Sequence, residues 1–103
     1  MRRIQLILVP LCVVLLAAQK PAVRTVSIGG GGFSPANVSI NVGDTVRWSN
    51  DDDRDHSIVA DNGAFSSPNL KTGRIYDVKF AAAGTYTYHC RLHPLEKGKI
   101  VVR

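Results

Sequence analysis

The sequence predicts an all-β fold, a Greek-key β-sandwich or barrel of about seven to eight strands. Three observations carry this expectation. From Thr25 onward, short runs rich in β-branched and aromatic residues recur, turn-forming residues separate them, and no segment sustains a helical period.

The runs fall, in order, at residues 25–28, 38–42, 45–50, 57–60, 74–80, 85–90 and 99–103. Alternation of Val38, Ile40 and Val42, and again of Val46 and Trp48, gives each of those strands one apolar face to turn inward. Between the runs stand the glycines of residues 29–32 with Pro35, Gly43-Asp44, the acidic stretch 51–55, Asn62-Gly63, Pro68, Gly73 and Gly84. Each is a turn former for a backbone reason, either freedom to adopt positive φ or a fixed φ. Gly29 to Gly32 is read as a flexible turn or linker, because no Gly-Lys-Ser/Thr follows and no helix is signalled, as a phosphate loop would require. Residues 66–73 have no strong period and fit a loop or a short helical turn. Asn37-Val38-Ser39 matches a glycosylation acceptor, a pattern short enough to be commonly accidental.

At the N-terminus, Met1, Arg2 and Arg3 make a basic start, residues 4–18 an apolar run, and Ala17 and Ala18 a small-residue close. This is the form of an export signal. The run is shorter than the ~20 residues that a membrane-spanning helix needs, and Gln5 and Pro10 weaken it further, so no stable span is expected once it is cleaved. Leu11 before Cys12 is too large for lipoprotein processing. The expected organisation is therefore a signal peptide over 1–18 and one domain over 19–103, in the periplasm or secreted.

Without the signal, 11 basic and 8 acidic residues give a mild charge of +3. The basic residues are scattered and form no aromatic-interleaved run, so no nucleic-acid partner is expected. Cys12 leaves with the signal, and Cys90 then stands alone in an oxidising compartment. A lone exported thiol is either a buried structural residue or a metal thiolate.

The chemistry is concentrated in Tyr86-Thr87-Tyr88-His89-Cys90-Arg91-Leu92-His93-Pro94-Leu95-Glu96-Lys97-Gly98, with a second histidine upstream in Asp55-His56-Ser57. A mixed set of one thiolate and two imidazoles suits copper that changes between Cu(I) and Cu(II), since soft sulfur favours the reduced ion and nitrogen accepts both. A structural zinc finger would need more cysteine than remains here. Taken singly, His56 reads as a solvated turn residue, His93 as exposed before Pro94, and Cys90 as buried and inert. Their shared frame is what raises them: an alternating strand ends in Cys90, Pro94 fixes His93, and Gly98 opens a final apolar strand. Neighbours on a strand face opposite ways, so His89 points away if Cys90 points at a metal.

This text resembles the cupredoxin family, and within it most closely the amicyanin, pseudoazurin and plastocyanin-type proteins. The resemblance covers most of the mature domain: Phe33-Ser34-Pro35, Val42-Gly43-Asp44-Thr45-Val46-Arg47-Trp48-Ser49-Asn50, His56, and Gly84 through Pro94. It implies the family's Greek-key sandwich, a role in electron transfer, one copper ion, and His56, Cys90 and His93 as its equatorial ligands. No histidine directly follows Cys90, so the His-Cys-His text of multicopper oxidases is missing.

The chain departs from the family at one position. Where similar proteins have His-Pro-x-Met, with the methionine as a weak axial ligand, this chain has Glu96, and its only methionine is Met1. Glutamine is confined to Gln5 and Gln19. Oxygen donors remain, namely the Glu96 carboxylate and the backbone carbonyl of Asp55. A hard carboxylate is expected to favour Cu(II), lower the potential and draw the centre away from an ordinary blue one. The competing expectation turns Glu96 outward to Lys97 or Lys99. The leading function is a monomeric electron carrier, not an enzyme, whose redox partner docks at Leu92, Pro94 and Leu95, with Arg91, Lys97 and Lys99 favouring an acidic surface. A copper-delivery module and a small copper enzyme with an open coordination position are the alternatives.

Overall fold

The computed structural model describes residues 20–103; the leader expected over 1–18, with Met1 and Cys12, lies outside them. Among the described residues eight strands form: β1 (Val23–Gly29), β2 (Gly32–Ser34), β3 (Asn37–Ile40), β4 (Thr45–Asn50), β5 (Val59–Ala60), β6 (Ile75–Lys79), β7 (Gly84–His89) and β8 (Lys97–Val102). They make two four-stranded sheets, ordered β2-β1-β4-β6 and β3-β8-β7-β5. The chain changes sheet at every connection from β2 to β7, and this crossing makes the β1–β4 and β3–β8 pairs parallel while the others are antiparallel. The β-sandwich expected from the sequence is the fold found.

The inner faces supply Val26 and Ile28 from β1, Val46 and Trp48 from β4, Tyr88 from β7 and Ile100 and Val102 from β8, all buried. Tyr88 sits at the centre. Its ring meets Phe33 edge-on at 4.7 Å and Trp48 edge-on at 5.3 Å between centroids, the geometry that aromatic quadrupoles favour. At the far end of the sheet the Asp44 carboxylate accepts hydrogen bonds from the amides of Ala22 and Asn41 at 2.8 and 2.9 Å. Those amides hold its pKa below the usual carboxylate value and tie the start of β1 to the turn before β4.

Two local expectations are narrowed and two are corrected. Gly29 to Gly32, expected as a flexible turn or linker, is the turn: Gly29 pairs with Gly32 across a tight hairpin, and Gly32 opens a short strand, β2. Gly32 has φ +104°, open only to glycine without strain. Val42 is 49% exposed, because β3 ends at Ile40 and the Val42 amide is spent on the carbonyl of Arg103 in the turn that follows. The alternation therefore stops one residue pair early. Ser57 lies outside β5, since its amide points at Cys90 Sγ instead of a neighbouring strand. Of the two readings of residues 66–73, the loop is what forms, bound by single bridges from His56 to Leu70 and from Val59 to Ser66. Among the described residues no helix is long and apolar enough to cross a membrane.

Candidate metal centre

Two loops at one end of the sandwich bring the predicted residues together. His56 lies between β4 and β5, and Cys90, His93 and Glu96 lie between β7 and β8. The second loop is drawn tight by two backbone bonds, from the Cys90 amide to the Glu96 carbonyl at 3.0 Å and from the Glu96 amide to the His93 carbonyl at 2.9 Å. The first is anchored by buried Asn50, whose Nδ2 donates to the carbonyls of Arg54 at 2.9 Å and Leu70 at 2.8 Å. Reciprocal backbone bonds between His56 and Leu70 complete the frame.

One donor atom from each of His56, Cys90, His93 and Glu96 lies within 4.8 Å of all the others. Cys90 Sγ is 3.8 Å from His56 Nδ1 and 3.6 Å from His93 Nδ1. Glu96 Oε1 is 3.1 Å from His56 Nδ1 and 3.4 Å from His93 Nδ1. Glu96 thus faces inward, and the outward alternative toward Lys97 or Lys99 is not what forms. Its Cβ and Cγ lie beside Gly32, where an added methyl group would come into ordinary contact with them. The β1–β2 hairpin is therefore one wall beside the site.

Cys90 and His56 are fully buried, while 30% of the His93 side chain is exposed. Burial pushes the Cys90 thiol up, but the Ser57 amide at 3.4 Å, the two imidazoles and the Leu92 amide favour the thiolate more. The net result is a pKa lowered to about 6. His56 is oriented from behind by Asp52, whose carboxylate lies 2.8 Å from Nε2. Burial opposes the charged imidazole, but Asp52, Cys90 and Glu96 together raise its pKa. With Nε2 engaged, Nδ1 is the nitrogen turned to the centre. His89 faces the other way and bonds Asp61 at 2.7 Å, as strand alternation predicts.

Asp52, Ser57 and Arg54 are site residues that sequence reasoning missed. Asp52 stands four residues before His56 in the acidic stretch, a spacing that only the curled loop turns into a contact. Arg91, expected beside a docking patch, instead uses its guanidinium to hold Asn69, Ser66 and the Ser67 carbonyl.

The donor set fits a metal ion. Glu96 Oε1 is buried and makes no hydrogen bond among the described residues, which is costly for an oxygen unless a cation completes it. Two imidazoles, a thiolate and a carboxylate oxygen on loops of a β-sandwich define a small protein with a mononuclear metal site. The cupredoxin-like domain family matches residues 4–102, and the chain belongs to the cupredoxin family. Amicyanin of Paracoccus denitrificans is 36% identical over 75 residues, 68% of this chain and 57% of that protein. Plastocyanin of Scenedesmus fuscus is 36% identical over 72 residues, 59% of this chain and 74% of that one. This chain thus spans less than two thirds of that amicyanin's length. Among solved structures, a purple cupredoxin from Nitrosopumilus maritimus matches with a TM-score of 0.73 at 35% identity, covering 78% of this chain and 99% of that one.

Proposed function

We propose that the protein is a one-copper electron carrier, whose ion would be held by His56 Nδ1, His93 Nδ1, Cys90 Sγ and Glu96 Oε1. The observation that carries this reading is the convergence of those four atoms, with the carboxylate oxygen buried and otherwise unpartnered. Copper bound there supplies a one-electron couple between Cu(I) and Cu(II). The chain's part is to hold its donors still: Asp52 fixes the His56 ring, the Ser57 amide steadies the thiolate, and the Cys90–Glu96 backbone bond closes the loop. A similar structure is described as a purple cupredoxin, which supports a centre of other than ordinary blue colour here.

The test is absorption and EPR spectroscopy of the copper-loaded protein beside Glu96→Gln. A neutral amide in place of the carboxylate is expected to shift both spectra and raise the reduction potential. Identical spectra would remove Glu96 from the coordination sphere.

The exposed edge of His93 is the natural port for electrons, and Leu92 at 43% and Leu95 at 93% exposure flank it. These residues with Pro94 would meet the redox partner, with Lys97 and Lys99 favouring an acidic surface. Leu95→Asp is expected to slow electron exchange with the native partner by about fivefold or more, the scale of losing one apolar contact in an interface. An unchanged rate would move the docking face elsewhere. The carrier would work as a monomer outside the cytoplasm, after removal of residues 1–18, the compartment in which a thiolate committed to metal is safe from stray pairing.

A further inference from the structure

Arg54 closes a ring of charged groups around one side of the centre. Its Nε lies 3.0 Å from Asp52 Oδ2, the same oxygen that lies 2.8 Å from His56 Nε2. Its Nη2 lies 3.8 Å from Glu96 Oε2, and Glu96 Oε1 returns to His56 Nδ1 at 3.1 Å. Nη1 lies 3.5 Å from His93 Nε2. The backbone of Arg54 is itself fixed, since its carbonyl accepts from buried Asn50. One guanidinium therefore spans two loops that are about forty residues apart in sequence, using the several donors that a fork-shaped cation has and an ammonium lacks.

The arrangement has a consequence for Glu96. A carboxylate on a surface loop followed by two exposed lysines, Lys97 next to it and Lys99 beyond, has cations available outside. Its inward orientation needs a counter-charge on the inner side, and Arg54 is the cation there: among the described residues it is the only lysine or arginine that pairs with Glu96. Asp52 sets the angle of that cation. It thereby couples the direction of Glu96 to the direction of the His56 ring.

We propose that Arg54 is a positioning residue, which holds the Glu96 carboxylate toward the metal centre through the His56–Asp52–Arg54–Glu96 ring. The proposal rests on the reading of Glu96 as a metal ligand. Arg54 itself touches no metal. Its effect passes through Glu96, and the two residues must therefore be non-additive.

The experiment compares four copper-loaded proteins: wild type, Arg54→Gln, Glu96→Gln and the double variant. Absorption, EPR and the rate of copper loss to a chelator are recorded for each. The expected result is that Arg54→Gln moves the spectra at least halfway toward those of Glu96→Gln and speeds copper loss by about 10-fold, the lower end for losing a group that orients a ligand. In the Glu96→Gln background the same change should do nothing further. Equal shifts in both backgrounds, or none in either, would overturn the positioning role while leaving Glu96 in place. If Glu96→Gln itself leaves the spectra unchanged, the reading of Glu96 as a ligand and this inference fall together. Arg54→Lys keeps the charge without the fork and is expected to lie between wild type and Arg54→Gln. It carries the same test if Arg54→Gln does not fold, with thermal unfolding of the metal-free proteins as the control.

Discussion

Cys90→Ser is expected to abolish the coloured copper centre while leaving the fold intact. Cys90 is fully buried beside His56 and Ser57, and serine keeps nearly its shape and an acceptor for the Ser57 amide. What it removes is the one soft donor. With a pKa lowered to about 6, Cys90 offers a thiolate at neutral pH, whereas a serine hydroxyl stays protonated. Losing a group that merely supports a ligand costs about 10- to 100-fold in metal affinity, and losing the thiolate is expected to exceed that, most of all for Cu(I). Competition titration with a Cu(I) chelator gives the affinity, and the visible spectrum gives the colour. A metal-free variant that melts near the wild type and still binds Cu(I) within tenfold would sink the assignment of Cys90.

The second large effect is structural. Gly98→Ala is expected to lower the melting temperature more than any exposed-loop change, because Gly98 pairs with Tyr88 across β7 and β8 and a methyl group there would overlap the phenol ring. Tyr88 has no free direction to move. It is 1% exposed, wedged between Phe33, Trp48 and Phe65, and burial has pushed its phenol pKa up to about 12. Overpacking of this kind costs about 1–3 kcal/mol. In a domain of this size each kcal/mol lowers the melting point by about 4–8 °C. Pairing Gly98→Ala with Tyr88→Leu frees the space and is expected to recover part of the loss. A single variant that melts within about 4 °C of wild type would refute the packing account. The copper site should suffer too, since Cys90 lies two residues past Tyr88 and Glu96 two residues before Gly98.

Most of the site was legible in the sequence because the segment from Cys90 to Glu96 is written locally. Cys90 ends an alternating strand, His93 is fixed by Pro94, and the resemblance to cupredoxins supplied the distant His56. The departure at Glu96 was legible for the same reason, as one residue in an otherwise matching segment. Less legible were residues whose roles depend on partners far along the chain. Arg91 looks like a surface cation beside a docking patch, but the loop at residues 66–69 folds back under it and takes its hydrogen bonds. Asp52 looks like one of several turn-forming acids until the loop curls and sets it on His56 Nε2.

The sequence by itself determined an all-β sandwich and the alternating cores of β3 and β4 through Ile40 and Trp48, and its resemblance to cupredoxins, with the departure at Glu96, named the four residues at the centre. Strand period and turn chemistry act over a few residues, so local text encodes them. Only the tertiary structure decided that Gly32 sits beside Glu96, that Ser57 gives its amide to Cys90, that Val42 faces out, and that Glu96 turns inward under Arg54. A side chain's direction is set by the atoms it meets. Here those atoms come from segments that the chain joins only by crossing between its two sheets.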